Sequence, residues 1–394
     1  MMNGFRTEVE KELTEHILPF WMKLKDEENG GFYGTVDFDL NTHKQADKGG
    51  IVTARFLWTF SAAYRVTKDK TYLEYADHLY DFLVNKLHDN EHLGLYWLVD
   101  HQGNPKDTRK HVYTQAFGVY ALSEYYRATQ NEAALKWAIH LFELIESKGF
   151  SKDSNAYMEE FDKAWHPVPN EMLSENGVTA EITMNTHIHV LEAYTNLYKA
   201  WPNEKLKARL NDLLKVHYEK IYNPETKFLH VFFDKDWNHL LDMKSFGHDI
   251  EASWLMDETI KTLDLNQETY INMVVDIAYN IADYAMQDDG SLVNEELNGV
   301  VDPTRIWWVQ AEAIVGFYNA YERTGDERFI ELVHGLWEYT KKFIIDERAQ
   351  GEWYWSVDEK GNPTKENIGD PWKASYHNGR FCLEIMERMS KHDT

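Results

Sequence analysis

Apolar residues recur at helical spacing along most of this chain. Leu73, Ala76, Leu79, Tyr80 and Leu83 fall at i, i+3, i+6, i+7 and i+10, one stripe of a helix. The segment around them, "AAYRVTKDKTYLEYADHLYDFL" from Ala62, reads as a helix end, a short polar turn and a new amphipathic helix. The same pattern returns in "EYYRATQNEAALKWAIHLFELI", "NLYKAWPNEKLKARLNDLLKV", "ETIKTLDLNQETYINMVVDIA" and "NAYERTGDERFIELVHGLWEY", and "EIMERMSKHDT" holds its first half. Tyr64, Tyr126, Tyr198, Ile260, Tyr321 and Met386 align at intervals of 61 to 72 residues. Six such units predict twelve helices, with a first helix near residues 5–25 completing the last pair. Six stacked pairs closed on themselves form an all-α (α/α)6 barrel, a single domain over residues 1–394. Four stretches alternate aromatic or apolar with polar residues and contain turn residues: Gly30–Asp39, Gly94–Pro105, Lys227–Leu240 and Gly351–Pro363. They predict short β-hairpins, all in connections after outer helices and so at one end of the barrel.

Composition narrows the partners. The formal charge of −25 argues against nucleic acid and anionic membrane, which need basic surfaces. No run of 18 apolar residues predicts a membrane span, and the charged N-terminus lacks the apolar core of a secretory signal. Cys382 is the lone cysteine, so no intrachain disulfide is possible and a cytoplasmic location is expected. With 14 Trp, 23 Tyr and 19 Phe, the chain suits a sugar site, where aromatic faces pack on pyranose rings; core packing is the better expectation for any single Trp.

The segments that start the inner helices are "KGGIVTARFLWTF", "RKHVYTQAFGVYAL", "TMNTHIHVLEAY", "KSFGHDIEASWLM", "RIWWVQAEAIVGF" and "PWKASYHNGRFCLEI". Each places polar or ionisable residues at the mouth of an apolar helix, which in six registers suggests a polar cavity. Four carry histidine, the side chain best suited to proton transfer near neutral pH, and the third, fourth and sixth hold the candidates His187, His189, His248 and His377. Asn185 and His189 share a helical face, whereas His187 lies about 200° away. His248 and Glu251, at i and i+3, can also face the cavity together. Arg55 offers a cation for an oxyanion, or half of a core ion pair. Glu181, Asp249, Glu251, Glu312 and Asp370 are candidate carboxylates for a glycosidase, which needs two across one bond. "HIH" on a helix is no metal pair, and HExxH, thiolate clusters, GxGxxG and Walker sequences are absent.

Together "VTARFLWTFS", "HVYTQAFGVYALSEYY", "MNTHIHVLEAYTNLY", "GHDIEASWL", "RIWWVQAEA", "GEWYWSVDEKGNP" and "PWKASYHNGR" resemble the N-acylglucosamine 2-epimerase superfamily over nearly the whole chain. The last two motifs are closest to its branch acting on β-1,4-linked disaccharides. The resemblance implies an (α/α)6 barrel and interconversion of glucose and mannose configurations at C2 of a reducing-end sugar. It implies no cofactor and no metal. His248 and His377 are implied as the general acid/base pair, one starting neutral and the other charged. His189 is implied as a third essential histidine, positioning substrate or helping ring opening, and Arg55 as the enediolate-stabilising group. Tyr113 and Asn185 are implied as hydroxyl-binding residues and Glu251 as the orienter of a histidine. Trp372 and Trp308 are implied as stacking platforms, with Trp307 the competitor of Trp308, since adjacent indoles on a helix point apart. The Trp353–Trp355 loop is a candidate for the second sugar. Lys373 and Arg380 are expected to be solvated or structural. Mannose or N-acylglucosamine epimerisation, aldose–ketose isomerisation, a glycosidase and a non-catalytic sugar-binding barrel are the alternatives. A monomer or weak homo-oligomer is expected.

Overall fold

The computed structural model describes residues 2–392. α1 covers residues 2–22 and contains a π-helical turn. Five helical hairpins follow: α2 (Gly50–Thr67) with α3 (Lys70–Phe82), α4 (Val112–Thr129) with α5 (Glu132–Leu144), α6 (Met184–Ala200) with α7 (Glu204–Val216), α8 (Phe246–Thr262) with α9 (Glu268–Tyr284), and α10 (Trp307–Thr324) with α11 (Glu327–Tyr339). α12 (Tyr376–His392) packs on α1, which completes the sixth pair. Each even-numbered helix touches the even-numbered helices before and after it, and α12 touches α2. Six inner helices therefore close a ring, as the repeat spacing predicts.

Burial separates the two layers. Every residue of α4 from Val112 to Tyr125 is buried. The outer helix α3 buries Tyr72, Ala76, Leu79 and Phe82, a single stripe. Local chemistry makes the hairpins recur. α2, α4 and α10 end at Lys68, Gln130 and Gly325, with left-handed φ values of 62°, 59° and 71°. The next residue, Asp69, Asn131 or Asp326, then caps the outer helix through a backbone N–H two residues on.

A short strand leads into each of five inner helices and pairs antiparallel with the hairpin after its own outer partner. The pairs are Lys48–Gly49 with Leu98–Val99, Lys110–His111 with Glu160–Phe161, and Ile182–Thr183 with Phe232–Phe233. Met243–Ser245 pairs with Glu295–Leu297, and Arg305–Ile306 with Ser356–Val357. At the sixth position Val36 bridges Gly369. All the inner-helix N-termini thus lie at one end, under a rim of hairpins. Two of these rim segments, around residues 150–161 and 292–302, escape the sequence pattern. Glu159 and Glu160 in the first and Glu295 and Glu296 in the second interrupt the apolar alternation.

Side chains from the third residue after the first helical one tie helix to hairpin. Gln115 bonds both the N–H and the C=O of Leu95, and Gln310 does the same to Leu292. Asp249 holds this register on α8. Its Oδ2 accepts from the Leu229 N–H at 3.2 Å, while Oδ1 is buried without a partner. Burial pushes this carboxyl well above its usual range. Asp249 thus keeps only the acceptor half of the contact that the two glutamines make.

At the opposite end each inner helix contributes one cation: Arg65, Arg127, Lys199, Lys261, Arg323 and Arg388. They sit near helix C-termini, where the helix dipole favours positive charge. Arg65 bonds Glu124 on α4 and Glu387 on α12, and Arg388 bonds Glu322 on α10, so these pairs tie neighbouring inner helices together.

Candidate active site

The ring holds two chambers. The lower, of about 390 Å³, is bounded by the charged belt. The upper, of about 410 Å³, opens among the hairpins, and all nine predicted site residues line it.

Three histidines reach this upper chamber from α6, α8 and α12, each with Nδ1 tied down. His377 Nδ1 lies 2.7 Å from Glu312 Oε1, His189 Nδ1 2.6 Å from Glu192 Oε2, and His248 Nδ1 2.6 Å from Ser245 Oγ. A bond at Nδ1 fixes the ring and leaves Nε2 to act on a substrate. Trp308 packs against two of them, 4.7 Å from the His248 ring and 5.4 Å from His377. His189 packs elsewhere, edge-on to Tyr113 at 5.1 Å and against Phe117 at 5.0 Å.

Arg55 is 4% exposed and donates to the Trp372 carbonyl and, at 3.0 Å, to the Tyr113 hydroxyl. Its guanidinium lies over Phe117 and Tyr376. This places a fixed positive charge beside the histidines. Asn185 lines the chamber, and its buried Oδ1 has no protein hydrogen-bond partner. Trp372 stands edge-on to Trp97 at 5.6 Å and forms a wall near the mouth.

Beneath the histidines lies a buried ionic floor. Arg380, fully buried, donates Nη2 to Glu251 at 2.7 Å and to Glu312 at 2.6 Å, and Nη1 to Glu192 and Tyr376. Trp254 Nε1 donates to Glu312 Oε2 at 3.0 Å, and Tyr376 to Glu192 Oε1 at 2.5 Å. Three carboxylates around one guanidinium cannot all ionise cheaply. Burial raises Glu251 to about 8 against the pull of Arg55, and burial with Glu251 alongside raises Glu312 as well. Burial and neighbouring charges act on the imidazoles in the opposite sense. His248 is lowered to about 3 by burial, His189 and Arg55. His377 and His189 fall well below their usual value for the same reasons, Arg380 adding to the effect on His189. Burial and the fixed charge of Arg55 thus weigh against an imidazolium on all three rings, whereas the resemblance implies one charged.

The N-acylglucosamine 2-epimerase (GlcNAc 2-epimerase) family profile matches residues 31–379. The chain belongs to this family. It is similar to the cellobiose 2-epimerase of Dictyoglomus turgidum, at 45% identity over 98% of each chain. It is similar to that of Ruminococcus albus, at 48% identity over 97% of this chain and 98% of the other. The crystallised cellobiose 2-epimerase of Bacillus thermoamylovorans superimposes with a TM-score of 0.97 at 58% identity, over 98% of this chain and all of that one. With relatives of this identity over the whole chain, it is a carbohydrate epimerase, an isomerase.

Within this family member, several sequence readings change. Glu251 bonds Arg380, and its Oε2 has no partner; the carboxylates that orient histidines are Glu312 and Glu192. Glu192 was legible in "HIHVLE", at i+3 from His189, whereas Glu312 lies 65 residues from His377. Trp307 and Trp308 both border the chamber, because Trp307 opens its helix and leans on Trp355 at 4.7 Å. Trp355 lines the chamber, but Trp353 is fully buried and donates to Glu12. Lys373 and Arg380 are structural and not solvated: Lys373 is buried on Glu352 at 2.6 Å. His187 is also structural, accepting from the Tyr157 N–H. Glu181 is exposed and Asp370 caps the loop at Trp372, away from any carboxylate pair. Glu251, Glu312 and His377 bring potential metal ligands together, but Arg380 already fills the space between the two carboxylates. Among the described residues, no helix is long and apolar enough to cross a membrane.

Proposed function

We propose that this chain reversibly epimerises C2 of the reducing-end glucose in β-1,4-linked disaccharides, turning cellobiose into glucosyl-mannose and lactose into epilactose. One observation carries the reading: two histidines flank Trp308, each held at Nδ1 and free at Nε2. Removing a proton from C2 of an open-chain aldose gives a cis-enediolate, and returning one to the opposite face inverts the centre. Two bases from different helices on one stacking platform suit that task. Arg55 supplies the charge that stabilises the enediolate. Beyond the histidines the chamber continues past Trp355, Glu175 and Glu295, which gives a second sugar room and hydrogen-bonding partners.

The missing imidazolium finds its substitute in the His377–Glu312 pair. With the proton on Glu312, the carboxyl donates to Nδ1 and His377 presents Nε2–H, an acid. Once Nε2–H is given to C2, the Glu312 proton moves to Nδ1 and leaves Nε2 bare, a base. The pair thus swings between acid and base without a resting imidazolium. His248, backed only by the Ser245 hydroxyl, takes the complementary role. No cofactor enters the scheme. Return of the proton at C1 gives the ketose as a side product.

The test is incubation of cellobiose and lactose in heavy water with wild type, His248→Ala and His377→Ala. Wild type forms the C2 epimer with deuterium at C2, and each variant folds but does not turn over. Near-wild-type turnover by either variant excludes the two-base scheme. Unlabelled disaccharide with labelled mannose or N-acylglucosamine in a parallel panel moves the substrate to those sugars.

A further inference from the structure

His248 is held differently from the other two histidines of the upper chamber. Glu312 and Glu192 meet His377 and His189 with carboxyl oxygens, whereas His248 Nδ1 lies 2.6 Å from a hydroxyl, Ser245 Oγ. Ser245 is 5% exposed and lines the chamber beside His248. It stands at the N-cap of α8, where serine is among the strongest helix caps, yet its side chain makes no capping bond. The equivalent residue of α6 behaves otherwise. Thr183 Oγ1 accepts from the Thr186 N–H at 3.0 Å and caps its helix. In α8 the place of Thr186 is taken by His248, and the hydroxyl bonds the imidazole instead of the backbone.

A hydroxyl in this place has a chemical consequence. An ionised carboxylate only accepts, so it keeps a hydrogen on the ring nitrogen it meets. A hydroxyl accepts from Nδ1–H or donates to a bare Nδ1, and it changes between the two by rotating its hydrogen. His248 can therefore stay neutral and present Nε2 either bare or with a hydrogen.

We propose that Ser245 is a positioning residue that exchanges the two neutral tautomers of His248, so that one histidine serves as base in one direction and as acid in the other. The inference rests on the epimerase reading for its reaction. In the deprotonating direction Nδ1–H donates to Oγ, and bare Nε2 takes the C2 proton. The C2–H electrons form the C1–C2 double bond, and the carbonyl π electrons move to O1. Nδ1 then gives its hydrogen to Oγ while Oγ passes its own hydrogen to a chamber water, which carries it to solvent. The ring is left neutral with a hydrogen on Nε2, and the new hydroxyl hydrogen points back at Nδ1. That is the acid form the reverse reaction needs, and the reverse sequence restores the base. One proton enters the ring and one leaves it, so atoms and charge balance with water as the only further reactant. Ser245 acts through His248 and touches no reacting atom.

Nitrogen NMR of the substrate-free chain, isotope-labelled at histidine, reads the tautomer directly, with the His248 signals assigned by their loss in His248→Gln. In wild type both ring nitrogens should lie between the protonated and the bare positions, because two neutral tautomers interchange. In Ser245→Ala they should separate into one protonated and one bare nitrogen. Turnover of lactose and of epilactose should both fall in Ser245→Ala, about ten- to a hundredfold in kcat with KM little changed, and Ser245→Thr should regain most of it. A merely structural Ser245 would leave the nitrogen signals of His248 unchanged. If Ser245→Ala does not fold, wild type and Ser245→Thr decide the matter, since both must show averaged nitrogens. A single fixed tautomer in wild type, or Ser245→Ala with kcat within about threefold of wild type, overturns the proposal. Averaged nitrogens without C2 labelling of lactose by wild type would instead overturn the epimerase reading alone.

Discussion

Replacing Glu312 with glutamine tests the acid–base pair at its least visible part. The glutamine amide fills the same volume and, with its nitrogen toward His377 Nδ1, imitates the protonated carboxyl, although that nitrogen then also faces the Arg380 Nη2 donor. It cannot accept a proton from Nδ1, so His377 is locked with Nε2–H outward and never becomes a base. Arg380 keeps Glu251 and Glu192, and a crowd of three buried carboxylates loses one member. One donor, Arg380 Nη2 or Trp254 Nε1, loses its acceptor, so the fold should survive at a cost of about 1–3 kcal/mol. A positioned acid or base contributes about 10²–10⁴ to rate, so kcat should fall by that factor, roughly 3–5 kcal/mol of barrier. KM should change little, because Glu312 lies behind His377. The assay is the initial rate of epilactose formation by chromatography, with circular dichroism and Tm as fold controls. A folded Glu312→Gln enzyme with kcat within about threefold of wild type would refute the proton path through Glu312.

Asp249→Asn should raise stability near pH 8 by about 1–2 kcal/mol, the scale of one buried unsatisfied acceptor. A folded-state carboxyl value raised above 3.8 favours the fold fully below 3.8, and that contribution is lost as pH rises through the raised value. The Tm gap between variant and wild type should thus widen from pH 4 to pH 8, and a gap independent of pH contradicts the assignment. The kcat/KM profile should hold below pH 6.5, because the active-site histidines stay neutral there. Glu251 ionises at about 8, but its charge raises Glu312 further, so Glu312 keeps its proton and no alkaline limb should appear near 8; an acid limb at or above 6.5 argues against neutral resting histidines. Asn131→Ala removes the cap that accepts from Ala133 and Ala134, and should cost about 1 kcal/mol in chemical denaturation with no change in kcat.

The ring was readable because each unit repeats its own chemistry. Tyr64, Tyr126, Tyr198, Ile260, Tyr321 and Met386 mark six helix ends, and the inner helices they belong to close through α12 and α2. The chamber followed from that register: residues just inside six helix starts converge, whatever their separation in sequence. The ionic floor was harder to see. Arg380 reaches carboxylates 129, 188 and 68 residues away, and no local pattern announces such partners. Burial and Arg55 also weigh against the charged histidine that the resemblance implies, and no residue type announces such surroundings. Two rim hairpins stayed hidden because acidic residues there sit where apolar ones define a strand.

Heavy water reports most directly on C2 proton transfer. Lactose incubated with the wild-type chain in deuterium oxide should yield epilactose carrying deuterium at C2, and the recovered lactose should gain the same label over time. Epilactose formed without deuterium at C2, or no epilactose at all, would contradict the account.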